Sequence, residues 1–125
     1  MERSFEAFDE GNWELLESLW DPDCEVVGPA EWPESGRFSG RQAVLAQFQR
    51  LKESWSASKL EAISHRSSGD RLCTSFRWVV RGEASGISSE TEMWMVADFR
   101  GDRYIRAQYF MDEAAATVAL EEKAA

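Results

Sequence analysis

Apolar residues open this chain at helical spacing. Phe5 and Phe8 lie on one face of the stretch ERSFEAFDE, a predicted helix that stops at Gly11, a residue suited to the left-handed turn that ends helices. Asn12 is placed to cap a second helix by accepting a free backbone N–H. In that helix Trp13, Leu16 and Trp20 form a stripe flanked by Leu15 and Leu19. Both helices are amphipathic, so each needs a surface to cover.

A turn at Asp21-Pro22-Asp23 then leads to a short predicted strand, Cys24–Val27, stopped by Gly28-Pro29. The next stretch, AEWPESGRFSG, is punctuated by Pro33, Gly36 and Gly40 and reads as a loop presenting Trp32 and Phe38. Those two aromatics either pin the loop to the core or rim a pocket. Ser39 to Gln42 fits a Ser-x-x-Gln capping box, and the helix it opens carries Val44, Phe48, Leu51 and Trp55 at spacings of four, three and four. That stripe predicts a long helix packed on a sheet.

From Ser58 the apolar positions alternate with polar ones. Leu60 and Ala62 flank Glu61, and a turn at residues 67–70 precedes a long strand, Arg71–Arg81. On it Leu72, Thr74, Phe76, Trp78 and Val80 share one face, with Cys73, Ser75, Arg77 and Val79 on the other. After a turn over residues 82–86, Thr91, Met93, Met95, Ala97 and Phe99 make a second apolar face. A tight turn at Gly101-Asp102, a strand from Arg103 to Met111 and a helix opening at Asp112 complete the order. Helices followed by a meander argue a single α+β domain over residues 1–125, with helices packed on one face of a curved antiparallel or mixed sheet. Such a sheet forms a cone, and its interior is the natural pocket.

Composition narrows the function classes. At 125 residues there is room for one domain and one core, and 43% hydrophobic residues are too many for a disordered chain. A net charge of −9 opposes phosphate backbones and anionic lipid surfaces, so neither nucleic acid nor membrane is the expected partner. No apolar run approaches the ~20 residues that span a bilayer. Cys24 and Cys73 have no CxxC spacing and no basic, apolar leader precedes Phe5. A cytoplasmic protein with two reduced, buried thiols is expected, a disulfide between them being the alternative. His65 has no second His or clustered carboxylates at ligand spacing, so no metal is predicted. Gly82 and Gly86 sit in a hairpin turn with no helix after it, so no phosphate-cradling loop and no cofactor are predicted.

Two residues near the last junction are the candidates for chemistry. Asp112 either caps the final helix or turns its carboxyl into the apolar cone, where desolvation would raise its pKa into the range of a general acid or base. Arg106, Gln108, Phe110 and Asp112 share one strand face, and Ile105, Ala107, Tyr109 and Met111 the other. The alternation puts the apolar set inside and Arg106 outside, paired with acids, unless a bulge reverses it. Tyr109 is then the candidate hydrogen-bond donor of the pocket, its alternative being a buried, satisfied tyrosine. Val79, Trp94 and Val96 among charges mark a candidate dimer surface on the sheet.

Three stretches, WDPDCEVVGP, FSGRQAVLAQF and FRGDRYIRAQYFMDEAAATVAL, resemble the nuclear transport factor 2-like superfamily in its SnoaL-like branch, and the likeness spans nearly the whole chain. The resemblance implies the cone-shaped, cystatin-like α+β fold. The superfamily's enzymes, among them ketosteroid isomerases, polyketide cyclases, scytalone dehydratase and limonene epoxide hydrolase, act on apolar small molecules, and non-catalytic members exist.

Several catalytic positions of those enzymes are changed here. Where the steroid isomerase pattern has Asp before Pro, this chain has Gly28-Pro29; its oxyanion-binding carboxyl falls at Ala97, with Asp98 on the opposite face; its first-helix phenol is replaced by Phe5 or Phe8. Asp112 matches the last Asp of the epoxide hydrolase set and Arg106 offers a guanidinium, but no Arg-x-Asp pair falls on a predicted strand. The dehydratase pattern needs two His, and the chain has one.

The resemblance therefore implies a small, largely apolar molecule in the cone, walled by Trp13, Trp32, Phe48, Trp55 and Trp78. Any reaction would be cofactor-free isomerisation, cyclisation, dehydration or hydrolysis, with Asp112 as acid or base and Tyr109 orienting the substrate. The alternative is a non-catalytic ligand-binding or dimerisation module, homodimeric through the sheet.

Overall fold

In the computed structural model, the described residues are 2–28, 36–53, 57–69, 71–81 and 88–121. The element order is α1 (Glu2–Glu10), α2 (Trp13–Leu19), β1 (Trp20–Gly28), β2 (Gly36–Ser39), α3 (Arg41–Glu53), β3 (Ala57–Ser68), β4 (Arg71–Arg81), β5 (Ser88–Arg100), β6 (Arg103–Phe110) and α4 (Glu113–Glu121). Six strands form one sheet in the order β2-β1-β6-β5-β4-β3. Among the described strands only the β1–β6 pair is parallel; it joins the first strand to the last and leaves β2 and β3 at the two edges of the sheet. Bulges interrupt the ladders at β1, at Ile63 in β3 and between β5 and β6, and each bends its strand.

The local signals act as the chain predicts at the first helices. Gly11 adopts φ +68°, and the Asn12 side chain accepts from Leu15 N at 3.2 Å to start α2. Phe5, Phe8 and Leu16 are buried against Val44 and Phe48 of α3 and against Phe76, Met93, Met95 and Ala97 of the sheet. The alternation read in β4 and β5 therefore does face the core.

Elsewhere the structure departs from the pattern. Trp20 begins β1 instead of ending α2, and Asp21-Pro22-Asp23 lies within that strand as an irregular stretch instead of a separate turn. Residues 36–39, expected in a loop, pair antiparallel with β1 and bring Phe38 onto the core. Helix α3 starts at Arg41, with Gly40 at φ +90° before it, one residue beyond the start that the Ser39 capping box implied. Ile105 does not face inward. Asp98 pairs with Arg106 and Phe99 with Tyr104, so Ile105 is the extra residue of a bulge and Tyr104 takes the core position, 3% exposed.

Helix α4 packs on the opposite face of the sheet from α1–α3. Its Ala116, Ala119 and Leu120 cover Cys73 and Val96, with Trp94 and Phe110 alongside. Val96, assigned from sequence to a dimer surface, is thus buried within the chain. Arg71 fastens this helix: its Nε lies 2.8 Å from Asp98 Oδ1 and its Nη1 donates to the Ala119 carbonyl at 2.7 Å. Cys24 and Cys73 are free thiols in separate clusters on the two faces of the sheet. No helix among the described residues is long and apolar enough to cross a membrane.

Candidate functional site

Inside the cone, between α1–α3 and the sheet, lies a cavity of about 50 Å³, room for roughly three or four waters. Its wall comes from nearly every element: Ser4, Phe5 and Phe8 of α1, Leu16 of α2, Trp20 of β1, Phe48 of α3, Leu60 of β3, Phe76 and Trp78 of β4, Met93 of β5 and Tyr109 of β6. Aromatic rings set its shape. Phe5 and Phe76 lie 5.0 Å apart, Tyr109 meets Phe76 edge-on at 6.2 Å, and Trp20 meets Phe48 at 5.4 Å.

No charged side chain belongs to the described wall. Its polar residues are Ser4 and Tyr109, and the indole nitrogens of the lining Trp20 and Trp78 are buried. Behind it, Ser4 Oγ and the Tyr104 phenol lie 2.9 Å apart. Burial pushes the Tyr104 phenol up to about 12, moderated by its bond to Ser4. Burial also drives the Tyr109 phenol well above its ordinary value, with Tyr104 adding to the effect. Both phenols therefore stay protonated at neutral pH and act as hydroxyls, not as bases.

The sequence-predicted residues separate clearly. Phe48, Trp78 and Tyr109 line the cavity. Trp13 stands one layer back, edge-on to Phe8 at 6.2 Å. Trp32 and Trp55 lie outside the described residues. Asp112 is exposed, and its Oδ2 accepts from Ala115 N at 3.1 Å, the geometry of an N-cap on α4. Arg106 points away from the cavity, its Nε 2.8 Å from Glu25 Oε1. It helps line an open groove of about 490 Å³ on the outer face of the sheet, where Arg100 also lies near Asp21 and Asp23. That groove is larger, but its charges are paired and it is more open to water; the apolar cavity between the helices and the sheet is the better candidate for a ligand site. His65 is exposed, with Nδ1 2.9 Å from Thr74 Oγ1.

The pattern missed Ser4, Trp20 and Tyr104. Ser4 is a small polar residue on the stripe side of α1, and nothing in its spacing announces a partner one hundred positions away. Trp20 was visible as an apolar residue, yet its place in the wall depends on the chain leaving helix for strand there.

The SnoaL-like domain family matches residues 1–107, and the chain belongs to it. No curated protein sequence matches the chain. Among solved structures, Bal32a from a soil-derived mobile gene cassette is 23% identical, with 97% of this chain and 92% of that one covered at a TM-score of 0.79. TerC, co-crystallised with polyporic acid, is 18% identical over 95% of this chain and 93% of its own at 0.75. A protein with a ketosteroid isomerase-like fold from Catenulispora acidiphila, in complex with trimethylamine, is 13% identical over 95% and 89% at 0.75. At these identities the likeness is one of fold, the nuclear transport factor 2-like cone.

Proposed function

We propose that this protein binds a small, largely apolar molecule in the cone, with Phe48, Trp78 and Tyr109 among its contacts. The observation that carries the reading is the half-open cavity itself, its wall almost wholly apolar, with Ser4 and Tyr109 among its lining residues. The complexes of two similar folds, TerC with polyporic acid and the Catenulispora protein with trimethylamine, support it as analogues. At about 50 Å³ the cavity suits a ligand fragment as it stands, so a polycyclic molecule would have to widen it. A thermal-shift screen of steroids, terpenes, aromatic polyketide fragments and epoxides is the test. A ligand at one hundred times its Kd adds ~2.7 kcal/mol, a rise of roughly 4–8 °C for a domain of this size. A flat response across the panel would remove the reading.

The catalytic form of the proposal is cofactor-free acid–base chemistry by Asp112 with Tyr109 orienting the substrate. The position of Tyr109 in the cavity wall supports its part, whereas Asp112 would have to give up its cap on α4 to reach the cavity. The lack of a carboxylate in the described wall favours the second reading, a non-catalytic binding module. Turnover of an enone, epoxide or polyketide-like substrate, abolished in Asp112→Asn, separates them. A homodimer through the outer sheet face belongs to the same proposal, supported by half-buried Val79 and Trp94; sedimentation as a monomer at micromolar concentration would count against it. A cytoplasmic location completes the proposal.

A further inference from the structure

At about 50 Å³ the cavity holds a fragment, so a larger ligand needs part of the wall to move. Strands β1, β6, β5 and β4 supply wall residues and are each bonded to a neighbour on both sides, so widening there would break ladders. Strand β3 lies at an edge of the sheet, and α1, which supplies Ser4, Phe5 and Phe8 to the wall, meets it there. The Leu60 N–H points away from β4 and is taken by the Asp9 carboxylate, at 3.0 Å to Oδ1 and 3.2 Å to Oδ2. Phe8, next to Asp9, and Leu60 are thus wall residues on the two sides of one seam. Lys52 of α3 braces it, its Nζ donating to the Asp9 carbonyl at 2.8 Å and lying 5.3 Å from the centroid of the Phe8 ring. The other end of α1 is pinned by Ser4 to Tyr104, and beyond Asp9 the chain turns at Gly11, φ +68°.

We propose that the seam between α1 and β3 is the gate of the cavity and that Asp9 is its latch. When the carboxylate releases Leu60 N, α1 tilts about Ser4 and the Gly11 turn takes up the movement. The Phe8 side of the wall then moves away from the Leu60 side, and no strand ladder is broken. The inference rests on the ligand-binding reading above and supplies the route to that site. Burial makes the closed latch a compromise. It disfavours the Asp9 charge and raises its pKa, against the opposing pull of the Leu60 N–H, Lys52 and Lys59, while Glu10 adds to the rise. Opening returns the carboxylate to water, which offsets part of the lost bond. A ligand's apolar body then covers the wall that the movement uncovers.

The test is the exchange of two uncharged probes, fluorobenzene and 1-fluoronaphthalene, followed by 19F NMR in the wild type, Asp9→Asn and Asp9→Ala. Asparagine keeps an acceptor for Leu60 N, and alanine does not. Asp9→Ala should raise the association and dissociation rates together, by about 5–100-fold, the effect of one lost buried bond. Kd should stay nearly unchanged, because the free and the bound closed forms lose the same latch. Asp9→Asn should remain within about twofold of the wild type, since the bond is kept. A tie that merely covers the sheet edge would lower stability and leave both rates alone; that result overturns the gate while binding stands. A changed Kd at an unchanged association rate also overturns it, by making Asp9 part of the binding surface. If neither probe shifts a resonance of Phe48, Trp78 or Tyr109, the binding reading falls and the gate with it. Should Asp9→Ala fail to fold, Lys52→Met removes the brace and keeps an apolar chain beside Phe8. It is expected to speed both rates together, and unchanged rates there overturn the gate.

Discussion

The hydroxyls of Ser4 and Tyr104 lie 2.9 Å apart, tying the first helix to the last strand at the back of the cavity. Tyr104 also stacks on Trp20 at 4.5 Å and lies against Phe99 at 4.8 Å, so a single residue braces β1, β5 and α1 together. The bond is buried, and its worth should exceed that of a surface contact. A double-mutant cycle of Ser4→Ala and Tyr104→Phe is expected to return a coupling of about 0.5–1.5 kcal/mol in urea unfolding. Strict additivity would show that the two hydroxyls meet without stabilising the fold.

At the other end of β6, the carboxylate of Asp112 accepts from Ala115 N. Asparagine caps a helix about as well as aspartate, whereas alanine cannot. Asp112→Asn should therefore leave the thermal midpoint nearly unchanged, and Asp112→Ala should cost about 1 kcal/mol. Ligand affinity should survive both, because the side chain is exposed and outside the cavity wall. Loss of affinity in the Asn variant alone would show that the carboxylate turns inward when ligand binds.

How far the sequence carried can be judged at these same residues. Period two placed Phe76, Trp78, Met93 and Met95 correctly because an uninterrupted strand keeps its faces in strict alternation. It failed at Ile105 and Tyr104, where one inserted residue swaps the faces and nothing local in RYIRA reveals the bulge. Tyr109, past the bulge, was back in phase and rightly assigned inward. The stripe on α3 gave Val44 and Phe48 but not Gln47, which is fully buried among them; a polar residue's burial depends on partners that periodicity does not see. Position 20 was ambiguous for a similar reason: Trp20 satisfied the helical stripe while the strand pairing with Tyr104 claimed it.

Arg71 holds α4 to the sheet through its carboxylate pair and the Ala119 carbonyl, and its side chain is only 10% exposed. Arg71→Leu would strand Asp98, itself 30% exposed, and free the end of the helix. The expected loss is about 1–3 kcal/mol, below that of a fully buried pair because water still reaches Asp98. Amide exchange should show where it acts: residues of α4 should lose protection more than those of α1–α3. Uniform loss across the chain would place Arg71's role in the global fold instead.

Asp9 fastens the other face, its carboxylate accepting from Leu60 N at 3.0 Å beside the cavity-lining Leu60 side chain. Burial raises its pKa, partly offset by that hydrogen bond and by Lys52 and Lys59. The charged form is thus the disfavoured one in the fold, and neutralising it while keeping an acceptor should cost little. Asp9→Asn is expected to be neutral or slightly stabilising at pH 7, and Asp9→Ala to cost about 1–3 kcal/mol by leaving the Leu60 N–H unpaired. Equal destabilisation by both would mean that the charge, through Lys52, is what matters.

The alkaline limb of stability should report the core directly. Burial holds the Tyr104 phenol near 12 against an ordinary 10, and the Cys24 thiol near 11 against 9. Both folded values lie above the unfolded ones, so the folded state binds more protons across these windows and stability must fall as pH rises. The Cys24 contribution is whole below pH 9 and is lost by about 11, and that of Tyr104 is whole below 10 and lost by about 12. For Tyr104 the loss is roughly 2–3 kcal/mol, at 1.36 kcal/mol per pH unit. Urea midpoints measured from pH 8 to 12 should decline from pH 9 onward. In Tyr104→Phe the decline above pH 10 should be shallower by the Tyr104 share, that of Tyr109 remaining, while the lower part, set by the buried Cys24 and Cys73 thiols, is unchanged. A variant curve parallel to the wild type throughout would show that the phenol ionises as freely in the fold as in water, and that the core around it is open.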